Sequence, residues 1–200
     1  MRSTRPGWLR TLAVASLAAV FGLPHSGCTP DFAADNQSNV ILRFVEMEAE
    51  SGADNELGAF LNSDVRPIFN DNVSITLEAL PKNPNFELEA PLESVLVTRY
   101  EVNYRRSDGL NREGVDVPYR ITGGLSTLVP FNDTADVVFV VVRHQAKFEP
   151  PLTNLAGAAN PVVLTMVAEI TLHGQTTSGR AVSARGFLTI NFADFADETT

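Results

Sequence analysis

The segment 137–142 reads VVFVVV, and five of its six residues are valines. Branching at Cβ restricts the rotamers of valine in a helix and favours the extended backbone. A short apolar run that does not alternate with polar residues is typical of a strand buried on both faces. We therefore predict that this segment is a central strand of a sheet and that it anchors the core.

The remainder of the chain shows the same preference for strands. From Val40 onwards, alternating or continuous apolar segments recur between turn-like clusters, and no long stretch has the spacing of an amphipathic helix. These patterns predict an all-β fold, an antiparallel β-sandwich with long connecting loops, in a single domain over residues 40–193. The predicted strands cover residues 40–47, 73–79, 94–106, 137–142, 162–172 and 181–192.

The segment 94–106 is the predicted strand with the most aromatic side chains. Alternation gives it two different sides, one of them apolar and the other formed by charged and amide residues. The apolar side is predicted to consist of Leu96, Tyr100, Val102 and Tyr104, with Thr98 as an interruption.

The end of the chain carries a predicted hairpin. Segments 162–172 and 181–192 flank a polar, glycine-bearing connection at 173–180, which is the kind of connection that closes a hairpin. Two other connections, 49–72 and 148–161, are predicted to be long loops. The second contains two consecutive prolines, which cannot donate ladder hydrogen bonds.

Residues 100–105, YEVNYR, resemble the third strand of fibronectin type III modules. The predicted hairpin is similar to the closing strands of immunoglobulin-like domains. Together these matches cover about 30 residues, whereas such modules have about 100. The resemblance implies an immunoglobulin or fibronectin III-like sandwich with long connections, and it implies no ligand.

The first 28 residues form a separate signal. Three arginines precede an apolar run at 12–23, and Ser26-Gly27-Cys28 ends the segment with the single cysteine of the chain. The segment resembles a bacterial lipoprotein signal peptide, with residues 25–28 (HSGC) at the processing box. The resemblance implies that residues 1–27 are removed and that the Cys28 sulfur carries a diacylglycerol.

Two alternatives to lipidation stay open, a plain secretory peptide with Cys28 as a stray thiol and an uncleaved membrane anchor. The apolar run is twelve residues long, whereas a spanning helix needs about 20. The lipoprotein resemblance also implies that Thr29, after the lipidated cysteine, directs sorting to the outer membrane. We expect residues 28–39 to include a flexible tether and residues 194–200 to form an acidic tail.

The charge of the chain limits its partners. The net charge is −9, and removal of residues 1–27 makes it −12, since 12 bases then face 24 acids. Such a surface repels phosphates, so we predict no nucleic-acid partner. With one cysteine there is no disulfide framework, and the core must come from apolar burial.

The search for catalytic or metal-binding chemistry yields no strong motif. After processing, His144 and His173 are the remaining histidines, so a three-histidine zinc site cannot form. Ser126 in the segment 124–128 lacks the second glycine of a nucleophile elbow and is predicted to be an ordinary strand residue. We predict a protein that is not an enzyme and uses no cofactor or metal.

Four polar residues follow the valine run and form our candidate ligand-binding set, namely Arg143, His144, Gln145 and Lys147. Loops at the ends of sandwiches often bind ligands. If the strand continues, His144 lies on one face and Arg143 with Lys147 on the other. The alternative is a strand end that simply leaves the core.

Two further groups of residues have both a functional and a structural interpretation. The functional interpretation of the three tyrosines is an aromatic binding strip, and the structural one is packing in the core. These residues are Tyr100, Tyr104 and Tyr119. For the region 46–64, the functional interpretation is the capture of a cation or a basic partner, and the structural one is a solvated loop. Its carboxylates are Glu46, Glu48, Glu50, Asp54, Glu56 and Asp64.

Three functions follow from these features. The first is an envelope-anchored lipoprotein that presents a non-catalytic binding module to a protein or glycan, with its lipid in the membrane. The second is a structural or assembly subunit of a periplasmic or outer-membrane complex, which joins its partners through a strand edge or loop. The third is an unrecognised hydrolase.

Overall fold

A computed structural model describes residues 38–53, 57–66, 68–83, 85, 93–157 and 162–195. The predicted signal peptide, nearly all of the segment 28–39 and the end of the acidic tail lie outside these residues. In the part of the chain that is described, no helix is long and apolar enough to cross a membrane.

The described chain forms nine strands in two sheets, with two short 3₁₀ segments between the seventh and eighth strands. One sheet has the order β2-β1-β4-β7 and the other β3-β9-β8-β5-β6. All pairings are antiparallel except that of β3 with β9. The elements are β1 Val40–Glu50, β2 Leu57–Gly58, β3 Leu61–Asp64, β4 Asp71–Pro81, β5 Val95–Arg105, β6 Ile121–Val129, β7 Thr134–Val142, the 3₁₀ segments His144–Phe148 and Leu152–Leu155, β8 Leu164–Thr176 and β9 Ala181–Ala193.

The core lies between the two sheets and follows from the alternation of the strands. On β4 the side chains of Val73, Ile75 and Leu77 are fully buried, while the residues between them are partly exposed. On the opposite sheet β8 and β9 contribute Leu172 and Leu188, which are also fully buried. This arrangement confirms the predicted all-β sandwich of two mostly antiparallel sheets. The immunoglobulin or fibronectin III likeness stays a prediction.

The register of the four-stranded sheet defines its two ends. Val40 at the start of β1 pairs with Pro81, and Glu50 at its end pairs with Asn72. Val142 at the end of β7 pairs with Asp71 at the start of β4. The start of β1 and the end of β7 therefore lie at opposite ends of this sheet.

The predicted hairpin is confirmed. β8 and β9 pair in continuous antiparallel register from Leu164 with Phe192 to Gln175 with Ala181. The strands extend further into the connection than the sequence pattern indicated, because β8 continues to Thr176. The reversal is made by Thr177 to Arg180.

The prediction for the apolar side of β5 was wrong at Leu96. The register of β5 against β8 shifts between Val97 and Arg99, where two steps on β5 match one step on β8, which is a β-bulge at Thr98. The extra residue reverses the alternation, so Val97 and Tyr100 are both buried while Leu96 lies on the other side. The rest of the predicted side, from Tyr100 onwards, points into the core.

The prediction of a central strand at 137–142 was also wrong. Among the described strands β7 pairs with β4 alone and lies at the edge of its sheet. Phe139 and Val141 are buried, but Val138 is 62% exposed. The valine run favours a strand without determining its position, because a single exposed valine carries little cost.

Both long connections contain more structure than predicted. The segment 49–72 holds β2 and β3, and β3 runs parallel to β9. The segment 148–161 holds the second 3₁₀ segment, whose Leu152 is fully buried. In the acidic region, Asp64 is buried and accepts hydrogen bonds from the amides of Arg66 and Phe195. Asp54 and Glu56 lie outside the described residues.

Candidate functional site

A cleft opens on the side of the sandwich where β6 and β7 form the edges of the two sheets. Its volume is about 520 Å³. Residues from β5, β6 and β7 form its interior, and the first 3₁₀ segment forms part of its border. The lining residues are Asn70, Tyr100, Tyr104, Tyr119, Ile121, Val140, Arg143, His144, Gln145, Ala146 and Glu149.

Two aromatic rings from opposite sheets stack beside the cleft, and one of them, that of Tyr100, lines it. The ring of Tyr100 stacks on that of Phe139, with centroids 4.2 Å apart and planes at 26°. Tyr100 lies directly over Gly123, where an added Cβ would be 2.2 Å from Tyr100 Cε1. The glycine is therefore required by the close approach of the ring.

Tyr104 is the most deeply buried of the three tyrosines that line the cleft. Its hydroxyl donates a 2.6 Å hydrogen bond to the carbonyl oxygen of Val141 on β7. Burial raises the pKa of Tyr104 above its ordinary value, against the smaller opposing influence of Arg143. The hydroxyl thus stays protonated and joins the two sheets at this point.

Tyr119 lies at the mouth of the cleft and is 57% exposed. Its ring packs against Gly114, where an added Cβ would be 2.3 Å from Tyr119 Cζ. Gly114 has a φ of 72°, which also favours glycine. The loop before β6 therefore holds an exposed aromatic ring in a defined position.

His144 is fixed by Asn70 across the mouth of the cleft. The backbone N–H of His144 donates to Asn70 Oδ1 at 2.7 Å, and the ring Nδ1 lies 3.1 Å from the same oxygen. Because a carbonyl oxygen only accepts hydrogen bonds, this contact assigns the proton to Nδ1 in the neutral ring. Nε2 is then an acceptor.

Arg143 supplies a positive charge to the cleft. One of its terminal nitrogens donates to the Thr122 carbonyl at 3.4 Å. Within the described ranges no carboxylate lies within 4.0 Å of its guanidinium. Gln145 is exposed beside it and Glu149 contributes one carboxylate to the lining. The cleft thus contains hydrogen-bond donors and acceptors, together with one positively charged and one negatively charged side chain.

The structure brings most of the predicted candidates together. Arg143, His144 and Gln145 line the same cleft as all three tyrosines of the predicted aromatic strip. Asn70 and Glu149, which also line the cleft, were missed, because isolated polar residues in connections carry no sequence signal of their own.

Neither a scan against protein-family models nor a search of the curated proteins found a match to this sequence.

Lys147 is the exception among the candidates, and the expectation that it shares a strand face with Arg143 was wrong. β7 ends at Val142, and the chain enters a 3₁₀ segment at His144. This turn directs Lys147 into the interior, where it is only 2% exposed. Its Nζ lies 3.1 Å from Oδ2 of Asp71, and it does not line the cleft.

A second, more polar cleft of about 360 Å³ adjoins the first through Tyr104. Arg120 lies in this second cleft, next in sequence to Tyr119 of the first. Its other lining residues are Glu101, Asn103, Arg105, Asn111 and Glu113. The two clefts are thus neighbours on the surface.

Across the described ranges no three His, Cys, Asp or Glu side chains are grouped as ligands of one ion. Ser126, the residue nearest to a nucleophile motif, is an exposed residue within β6. The cleft is suited to recognition through one exposed ring and several hydrogen-bonding groups.

Proposed function

We propose that the protein is an exported, envelope-anchored lipoprotein whose β-sandwich binds a glycan without catalysis. The observation that carries the proposal is the cleft between β6 and β7, with Tyr119 exposed at its mouth. A protein segment is the other ligand class that the sequence predicted. The mixed lining favours a sugar.

The lining matches the chemistry of a sugar ring. A sugar has apolar C–H faces, which pack on aromatic rings, and a rim of hydroxyls, which both donate and accept hydrogen bonds. Tyr119 supplies the ring, while Arg143 donates and Glu149 accepts. Gln145 supplies both kinds of group. A small number of placed polar groups around an apolar surface is the usual composition of a ligand pocket.

The binding experiment is a titration of the purified full-length protein. Calorimetry with soluble peptidoglycan fragments and short chains of cell-surface polysaccharide should show saturable binding to one of them. Tyr119→Ala and Arg143→Ala should each weaken the affinity by about tenfold or more, since one lost ring or charge contact contributes roughly 1.4 kcal/mol.

Arg99→Ala is the matched control, because Arg99 is an exposed arginine of β5 that lies outside the cleft. Its affinity should equal that of the unmodified protein. The proposal fails if no saccharide binds, or if all three variants bind as the unmodified protein does.

The envelope part of the proposal is supported by the N-terminal sequence. An external protease applied to intact cells tests it, with Cys28→Ala and a known periplasmic protein as controls. Cleavage in intact cells, with loss of Cys28→Ala from the cell-bound fraction, means a surface-facing lipoprotein. Protection until the outer membrane is breached means a periplasmic one. Retention of Cys28→Ala in the membrane fraction would contradict lipid anchoring.

An assembly role is the second candidate, supported by the edge position of β7. Among the described strands, β7 pairs on one side only, and its exposed Val138 lies on the outer face. An exposed edge accepts a strand from another chain. A stable complex that co-purifies with the protein and is lost on Val138→Pro favours this role; partner-free monomer contradicts it.

A further inference from the structure

A lysine and an aspartate meet in a fully enclosed site behind the cleft. Lys147 Nζ lies 3.2 Å from Oδ1 and 3.1 Å from Oδ2 of Asp71. Both side chains have no exposed surface. The two residues are 76 positions apart in the sequence, one at the start of β4 and the other in the first 3₁₀ segment.

Both oxygens of this carboxyl group also accept a hydrogen bond from a further donor. The backbone N–H of Gly52 donates to Oδ1 at 3.0 Å, and the Ser63 hydroxyl donates to Oδ2 at 2.6 Å. Ser63 is itself fully buried. The carboxyl group is therefore held in one orientation, with the Lys147 amine in contact with both oxygens and a further donor at each of them.

We propose that Lys147 and Asp71 are joined by an amide bond between Nζ and Cγ, which the folded chain forms by itself with loss of one water molecule.

The condensation balances without any co-reactant. The pair first exchanges a proton, so that a neutral amine faces a neutral carboxylic acid. Nζ then attacks Cγ, a new N–C bond forms, and one carboxyl oxygen leaves. This oxygen carries the proton received in the exchange and takes up the one further proton that Nζ loses, so it departs as water. No oxidant, reductant or other reagent is consumed.

The surroundings favour each part of this step. Burial raises the pKa of Asp71, which favours the neutral acid. The Gly52 N–H is placed to stabilise negative charge on Oδ1 in the tetrahedral intermediate. The Ser63 hydroxyl is placed to pass a proton to Oδ2 as it leaves. Fixed contact between the reacting groups replaces a collision in solution.

The product also removes an energetic cost. The burial of two charges costs desolvation free energy that their mutual attraction often does not offset. An amide at the same place is neutral, and its oxygen keeps the hydrogen bond from Gly52. The new bond closes a long loop in a chain whose single cysteine permits no internal disulfide, and closing such loops restricts the unfolded state.

The test is a peptide map of the full-length protein, denatured before digestion so that folding protects no site. Trypsin normally cleaves after lysine, but Lys147 in an amide is not a substrate. The expected product is one branched peptide that joins the segments 44–82 and 144–180, lighter by about 18 Da than the sum of its two linear parts.

Lysine labelling gives a second readout. The chain contains two lysines, Lys82 and Lys147. After denaturation an amine-reactive reagent should label Lys82 and leave Lys147 unlabelled. Lys147→Arg should abolish the branched peptide, because a guanidinium does not condense with a carboxyl group in this way. Lys82→Arg, the matched control, should retain it.

The result that overturns the proposal is simple to recognise. It is a denatured, unmodified protein in which trypsin cleaves after Lys147, the reagent labels both lysines and all peptides have their full calculated masses. This outcome needs no variant, so a folding defect in Lys147→Arg does not affect it.

Discussion

The ring of Tyr100 on β5, which lines the cleft, stacks on the ring of Phe139 on β7 and links the two sheets. Phe139 comes from the valine-rich edge strand, and its side chain points inward while Val138 points outward. The edge strand is thus attached to the opposite sheet through a buried aromatic pair.

Removal of this ring should destabilise the sandwich. Phe139→Ala should lower the free energy of unfolding by about 3 kcal/mol, because it leaves a cavity and removes the stacking contact. Val138→Ala, at the adjacent exposed position, should change it by less than about 0.5 kcal/mol. Urea unfolding measures both. Equal effects would contradict the inward orientation of Phe139.

Two adjacent glycines of β6 provide a matched test of the cleft. An added Cβ at Gly123 would be 2.2 Å from the Tyr100 ring, whereas at Gly124 its nearest neighbour would be 4.0 Å away, the carbonyl oxygen of Thr98. Gly123→Ala should cost about 1–3 kcal/mol and displace the ring. Gly124→Ala should be tolerated. Thermal unfolding compares them, and similar melting temperatures would refute the predicted contact.

Tyr104 should keep its proton when the unfolded chain would lose it. Its pKa lies above the ordinary value of about 10, so the fold favours the protonated hydroxyl. This contribution to stability is complete below about pH 10 and is lost as the pH rises further. The measurement is tyrosinate absorbance with rising pH, for the unmodified protein and Tyr104→Phe.

The difference between those two titrations isolates Tyr104, one of three tyrosines in the chain. It should appear only when circular dichroism shows that the fold is lost. A difference that appears near pH 10 in native protein would disagree with a buried, hydrogen-bonded hydroxyl.

The ion pair of Asp116 and Arg112 in the loop before β6 should stabilise the fold less as the pH falls, whereas the contribution of Tyr104 is lost as the pH rises. Hydrogen bonds from Arg112 lower the pKa of Asp116, including one of 2.7 Å from Nε to Oδ2. The favourable contact is present above the ordinary pKa of about 3.9 and is lost as the pH falls through the lower folded value. A carboxyl-carbon NMR titration should follow this loss directly.

In the same titration Arg112→Ala should raise the pKa of Asp116 towards its ordinary value. Arg120→Ala, which removes an arginine of the same loop that forms neither a hydrogen bond nor an ion pair with Asp116, should leave it unchanged. An unchanged pKa in Arg112→Ala would mean that the pair does not persist in solution.

The sequence patterns predicted six of the nine described strands; β2 and β3 fell in a segment predicted to be a loop, and of β6 only Ser126 was assigned to a strand. Alternation identified β4 and the β8–β9 hairpin because both signals are local to the segment. A uniform valine run has no alternation, so nothing in segment 137–142 could separate a central strand from an edge strand. The bulge at Thr98 was likewise hidden, because an inserted residue becomes visible only against its partner strand.

Several residues of the candidate site were predicted from the sequence, but not their arrangement. The sequence suggested the His144 segment and the three tyrosines separately. They come together because β5 and β6 of one sheet pack opposite β7 of the other. That is a long-range property of the fold. Lys147 was misplaced because alternation was extended past Val142, where the backbone has already turned into a 3₁₀ segment.

Val40 and Val142 lie at opposite ends of the four-stranded sheet. β1 has eleven residues and is therefore roughly 35 Å long, at about 3.4 Å per residue. The described chain enters the sandwich at one end, and the cleft borders the other end, where β7 passes into the 3₁₀ segment His144–Phe148. In the lipoprotein that we propose, the segment from Cys28 would therefore join the sandwich at the end away from the cleft, so the anchor would leave the mouth of the cleft free for a ligand.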